Sequence, residues 1–74
     1  AKEVNTDMIM RLLNEDQGFL PFGDKSTPDE IYATFGISKK AFKKAIGALY
    51  REKLITIEED GIRILLPEEP QIND

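Results

Sequence analysis

Apolar residues change their spacing several times along this chain, and each change marks an element. Ile9, Leu12 and Leu13 recur at helical spacing with Met8 and Met10 beside them. Asn5 or Thr6 can cap that segment and Asp7 suits its first turn. The helix fades by Asp16-Gln17-Gly18, with Gly18 just past the C-cap. Phe19-Leu20-Pro21-Phe22 is a short apolar run whose proline gives no ladder donor, so it reads as an edge strand or extended connector before a turn at Gly23-Asp24-Lys25. Ser26 or Thr27 then caps a second helix, with Pro28 at its first position and Asp29 and Glu30 complementing the dipole. Ile31, Tyr32 and Phe35 form its expected buried stripe, and Gly36 ends it.

Only Gly36-Ile37-Ser38 separates this helix from the third, which Ser38 caps. Two helices joined by a tight glycine-containing turn make a helix-turn-helix, with Ile37 filling the corner. Phe42, Ala45, Ile46, Leu49 and Tyr50 follow the i, i+3, i+4, i+7, i+8 spacing of a core-facing stripe. Beyond Lys53 the period becomes that of strands. Leu54-Ile55-Thr56-Ile57 and Ile62-Arg63-Ile64-Leu65-Leu66 are joined by Glu58-Glu59-Asp60-Gly61, in which Asp60-Gly61 is a hairpin turn signal. The expected fold is α+β, a winged helix-turn-helix of three helices with a short edge strand and a C-terminal β-hairpin wing. It should occupy residues 1–66, with residues 67–74 a flexible acidic tail after Pro67.

Composition narrows the chemistry. The 74 residues include no cysteine and no histidine. Disulfides, thiolate metal sites and Ser-His or Cys-His nucleophile pairs are therefore excluded. No carboxylate cluster marks a site either, so neither an enzyme nor a cofactor is expected. No apolar run has the length of a bilayer span and no signal-peptide pattern opens the chain, which fits a cytoplasmic protein. The start at Ala1-Lys2-Glu3, without an initiator methionine, suggests a piece of a longer protein.

The net charge is −4, but its distribution matters more than its sum. Six of the ten basic residues lie between Lys39 and Lys53 against one acid, Glu52, giving that window +5 and the remainder −9. Lys39, Lys40, Lys43 and Lys44 occupy the first turns of the third helix, where the macrodipole disfavours each cation by about 0.3–1 kcal/mol. On a helical wheel Lys40, Lys43, Lys44, Gly47 and Arg51 fall opposite the apolar stripe, with Lys39 at the flank. Gly47 costs about 1 kcal/mol relative to alanine. Its outward position suits the close approach of a phosphate backbone or partner surface. A lysine run is ordinarily a solvated face. Its dipole-opposed end, its shared face with Arg51 and its place on the second helix of a helix-turn-helix favour a polyanion instead. Tyr32 and Tyr50 can stack on bases, yet their places on the apolar stripes suggest core roles. Phe19, Phe22, Phe35 and Phe42 are expected in the core. The acidic hairpin tip, Glu58-Glu59-Asp60, would repel phosphate, so contact should run through the third helix alone.

Asp24-Lys25-Ser26-Thr27-Pro28-Asp29-Glu30-Ile31-Tyr32, followed by Phe35-Gly36-Ile37-Ser38-Lys39-Lys40-Ala41-Phe42-Lys43-Lys44-Ala45-Ile46-Gly47-Ala48-Leu49-Tyr50, resembles the C-terminal winged-helix domain of the conserved virulence factor B family. The resemblance covers roughly the whole ordered domain. It implies a bacterial, cytoplasmic, RNA-binding protein with S1-type OB-fold domains upstream, in which this module assists a regulator of gene expression and virulence. It further implies that Lys39, Lys40, Lys43, Lys44 and Arg51 contact RNA backbone with low sequence specificity. Two other readings remain open. One is a protein-interaction or dimerisation module, with weak self-association between acidic wing and basic helix. The other is a DNA-binding transcriptional regulator, which would need base-reading side chains that the outward face of the third helix lacks.

Overall fold

A computed structural model describes residues 4–65; the acidic segment expected over 67–74 lies outside the described residues. The elements are α1 (Val4–Glu15), β1 (Phe19–Leu20), α2 (Pro28–Phe35), α3 (Lys39–Arg51), β2 (Ile55–Glu58) and β3 (Gly61–Ile64). Helix α1 begins slightly before the expected caps, so Asn5 and Thr6 are helical. Their helix propensities trail the best formers by under about 1 kcal/mol, and a weak local cap preference yields to continued helix.

The other caps form as the sequence indicates. Thr27 Oγ1 accepts from Glu30 N at 3.1 Å while Glu30 Oε1 accepts from Thr27 N at 2.9 Å, a complete capping box. Ser26 takes a different role, accepting from Gly23 N at 3.0 Å. Gly36 ends α2 in the left-handed region at φ 72°, and its N–H donates to Tyr32 O at 2.8 Å. Ser38 Oγ accepts from Ala41 N at 3.1 Å and starts α3.

Helix α3 packs against α1, α2 and β2. Its Phe42, Ala45, Ile46 and Leu49 meet Ile9 and Leu13 of α1, Ile31 and Phe35 of α2, and Leu20, Ile55 and Ile62 of the sheet in one buried cluster. Phe35 links two aromatic contacts, edge-on to Phe22 at 5.3 Å and tilted against Phe42 at 4.9 Å. Ile37 is half-buried at the corner between α2 and α3.

Tyr32 and Tyr50 correct the expected stripes, being 66% and 55% exposed. Each lies about 100° around its helix from a buried neighbour, Ile31 or Leu49, and so turns off the core-facing side. Phe19 is also not part of the core cluster.

The sheet is antiparallel with order β1-β3-β2. Leu20 pairs with Ile62, and Ile55 with Ile64, on the face turned to the helices. Phe19, Arg63 and Thr56 align on the opposite face, where the Arg63 guanidinium lies 4.6 Å from the Phe19 ring centroid.

The hairpin turn sits one residue earlier than the Asp60-Gly61 signal suggests. Glu58 pairs with Gly61, leaving Glu59-Asp60 as the loop. Gly61 is instead a glycine of close approach. A Cβ there would stand 2.8 Å from Phe19 Cζ and 2.9 Å from Pro21 Cα, and would collide with the Leu20 carbonyl.

Candidate nucleic-acid interface

Burial of Phe42, Ala45, Ile46 and Leu49 fixes the rotation of α3 and turns its basic sector outward. Lys40, Lys44 and Arg51 are exposed and make no hydrogen bond or ion pair among the described residues. With Gly47 they follow i, i+4, i+7 and i+11, a ridge about 16 Å long at 1.5 Å per residue. Gly47 is partly exposed at its centre, and a Cβ added there would meet only Arg51 Nη1, at 3.7 Å. No packing within the described residues requires a glycine at this position.

The remaining two lysines are engaged by a residue that local reading missed. Lys43 Nζ lies 2.7 Å from Asp24 Oδ1, and Lys39 Nζ donates to the Asp24 backbone carbonyl at 2.6 Å. Asp24 therefore supplies from the preceding turn the negative charge that the first turns of α3 lack. The Lys43 hydrogen bond, then its charge, holds the Asp24 carboxyl below its ordinary value; slight desolvation opposes this and the Lys39 charge assists it. Both partners in the ion pair remain solvated, at 54% and 77% exposure, so an external phosphate can compete for Lys43. Lys39 is half-buried and flanks the ridge.

The wing offers no comparable surface. Arg63 Nε lies 3.0 Å from Glu58 Oε2, and Thr56 Oγ1 donates to the same oxygen at 3.2 Å. Arg63, chiefly through its hydrogen bond, lowers the Glu58 pKa against some desolvation. Lys25 Nζ pairs with Glu59 Oε2 at 3.1 Å, tying the wing tip to the turn before α2. Two of the three tip carboxylates thus have cationic partners.

Among the described residues no group of three or more His, Cys, Asp or Glu is placed to hold a metal ion. No described helix is long and apolar enough to cross a membrane. What the outward face of α3 presents is positive charge on either side of a residue without a side chain, a surface suited to anion contact.

Known proteins with the same pattern agree with the architecture. Over 56 residues the chain is 52% identical to conserved virulence factor B of Staphylococcus saprophyticus, an alignment covering 76% of this chain and 19% of the relative. The corresponding protein of Staphylococcus aureus is 49% identical over 57 residues, covering 77% and 19%. The chain thus spans about a fifth of the length of the curated relatives it matches. A crystal structure from Streptococcus pneumoniae, described as a multidomain protein with nucleic acid binding domains, superposes with a TM-score of 0.81 at 42% identity. That superposition covers 86% of this chain and 22% of the streptococcal one. The family model for the CvfB-like winged helix domain matches residues 7–64, and the chain belongs to that family.

Proposed function

We propose that this domain binds RNA through its phosphate backbone, with low sequence specificity, along the outward face of α3. The observation that carries the reading is the ridge of Lys40, Lys44 and Arg51, uncompensated among the described residues and centred on Gly47. Lys43 joins them by exchanging Asp24 for phosphate, and Lys39 flanks the contact. Four lysines near a helix start are unfavourable in isolation, and a polyanion reverses the sign of that contribution. The streptococcal neighbour, described as having nucleic acid binding domains, supports the same class of partner.

The module is accessory. Three or four phosphates on a single strand give a log–log salt slope of about −2 to −3, too shallow for tight binding by this surface alone. Tethered to upstream S1-type domains in a bacterial, cytoplasmic regulator of gene expression, it would act at a raised effective concentration. The test is a fluorescence-anisotropy titration with single-stranded RNA at low salt, comparing the chain with its Lys40→Ala/Lys44→Ala/Arg51→Ala variant. The variant should lose most of its affinity while keeping its thermal transition. Equal affinity for the two proteins removes the ridge from the mechanism.

A further inference from the structure

The surroundings of Gly47 carry the reading further, to the kind of strand that fits. On a helix surface each residue has neighbours at i−4, i−3, i+3 and i+4. For Gly47 these are Lys43, Lys44, Tyr50 and Arg51. The missing side chain leaves peptide backbone uncovered on this face, and of the four neighbouring positions three carry cations and one an aromatic ring. The Arg51 guanidinium already reaches this space, since its Nη1 would lie 3.7 Å from an added Cβ.

Tyr50 lacks the role its spacing suggests. It is 55% exposed, joins neither aromatic contact of the core, and its hydroxyl makes no hydrogen bond among the described residues. Its Cα–Cβ bond, like every such bond in a helix, tilts toward the N-terminus and so toward the turn containing Gly47. A solvated ring beside fixed cations is the pairing with which proteins hold unstacked bases. A duplex keeps its base faces stacked inside and offers Tyr50 nothing. A second backbone would also meet the acidic wing tip, Glu58-Glu59-Asp60.

We infer that Gly47 floors a subsite for one nucleotide of a single strand, with phosphate among Lys43, Lys44 and Arg51 and a base stacked on Tyr50. This rests on the phosphate-binding reading above and adds the base to it. RNA and single-stranded DNA share the stacking face, so both belong in the test.

Labelled twelve-residue oligoadenylate RNA, its DNA counterpart, an abasic strand of equal length and a duplex are titrated at low salt. Tyr50→Ala should weaken both adenylate strands about tenfold and leave the abasic strand unchanged, whereas Tyr50→Phe should bind like the parent. The chain has no tryptophan and two tyrosines. In a Tyr32→Phe background, tyrosine emission therefore reports Tyr50 and should be quenched by oligoadenylate but not by the abasic strand. A stronger response to the RNA than to the DNA assigns the subsite to RNA; equal responses assign it to single strands of either kind. Wild-type affinity in Tyr50→Ala, equal losses on the abasic strand, or duplex binding as tight as single-strand binding overturns the subsite. If the Lys40/Lys44/Arg51 variant still loses affinity in those cases, only stacking falls. If that variant binds like the parent, or the parent binds no strand, the phosphate reading falls with it.

Discussion

Asp24 competes with any external anion for Lys43, so removing its charge should strengthen nucleic-acid binding. The substitution is Asp24→Asn. It deletes the carboxylate that lies 2.7 Å from Lys43 Nζ but keeps the backbone carbonyl that accepts from Lys39. Each phosphate neutralised on a single strand adds about −0.7 to the log–log salt slope. Relative to 1 M salt, one such contact strengthens binding by about fourfold at 0.15 M and about eightfold at 0.05 M. Those factors are the ceiling for the gain, reached when Lys43 moves wholly from Asp24 to phosphate. The assay is an anisotropy titration of single-stranded RNA across a salt series, with a thermal melt of each protein beside it. The expected result is a lower Kd, most visible at low salt, and a slope steeper by up to about 0.7. Because the ion pair is solvated, the melting temperature should move little. An unchanged Kd and an unchanged slope, with an intact transition, would show that Lys43 does not reach the ligand, and the contact set would shrink to Lys40, Lys44 and Arg51.

Further outcomes follow from the same geometry. Gly47→Ala places a methyl in ordinary contact with the Arg51 guanidinium and should stabilise α3 by about 1 kcal/mol, raising Tm by about 4–8 °C, while weakening RNA binding; unchanged affinity would mean the floor is not contacted. Gly61→Ala drives a methyl into the Leu20 carbonyl and should cost about 3 kcal/mol in urea unfolding. Thr27→Ala removes the cap of α2 and should cost about 1 kcal/mol without altering RNA affinity. Asp24 and Glu58 have depressed pKa values. Their contributions are complete above their unfolded pKa values, near about 4, and are lost as pH falls through the lower folded values. An Asp24→Asn/Glu58→Gln variant should therefore show a shallower loss of stability below about pH 4 than the parent in a melt series.

The features legible in the sequence depend on short spacings. Thr27 and Ser38 bond to N–H groups three residues on, and Gly36 closes α2 on Tyr32, so each cap is written within one turn. The basic face of α3 was readable for the same reason, because 3.6-residue periodicity fixes which side chains oppose Phe42 and Leu49. What escaped depends on approach across the fold. Asp24 reaches Lys39 and Lys43 from 15 and 19 positions away, across α2, and nothing local to either lysine announces it. Gly61 carries a hairpin signal, yet the backbone of Leu20 and Pro21 dictates its identity. Tyr50 fits an apolar spacing template but lies beyond the angular width of the core, a width that sequence periodicity does not measure.

The division of the lysines explains how the domain tolerates cations where its dipole opposes them. Lys39 and Lys43 reach back to Asp24, and these contacts hold the turn before α2 against the start of α3 without any ligand. Lys40, Lys44 and Arg51 receive no such compensation among the described residues. Had Asp24 been placed on the ridge itself, it would neutralise the surface as well as the helix start. Its place on the flank lets the helix keep an offsetting charge while the outward side retains its potential. The contacts that offset the helix start therefore fall to Lys39 and Lys43, and the uncompensated outward charge to Lys40, Lys44 and Arg51. For that reason, neutralising Lys40, Lys44 and Arg51 should remove most of the binding while leaving the corner between α2 and α3 intact.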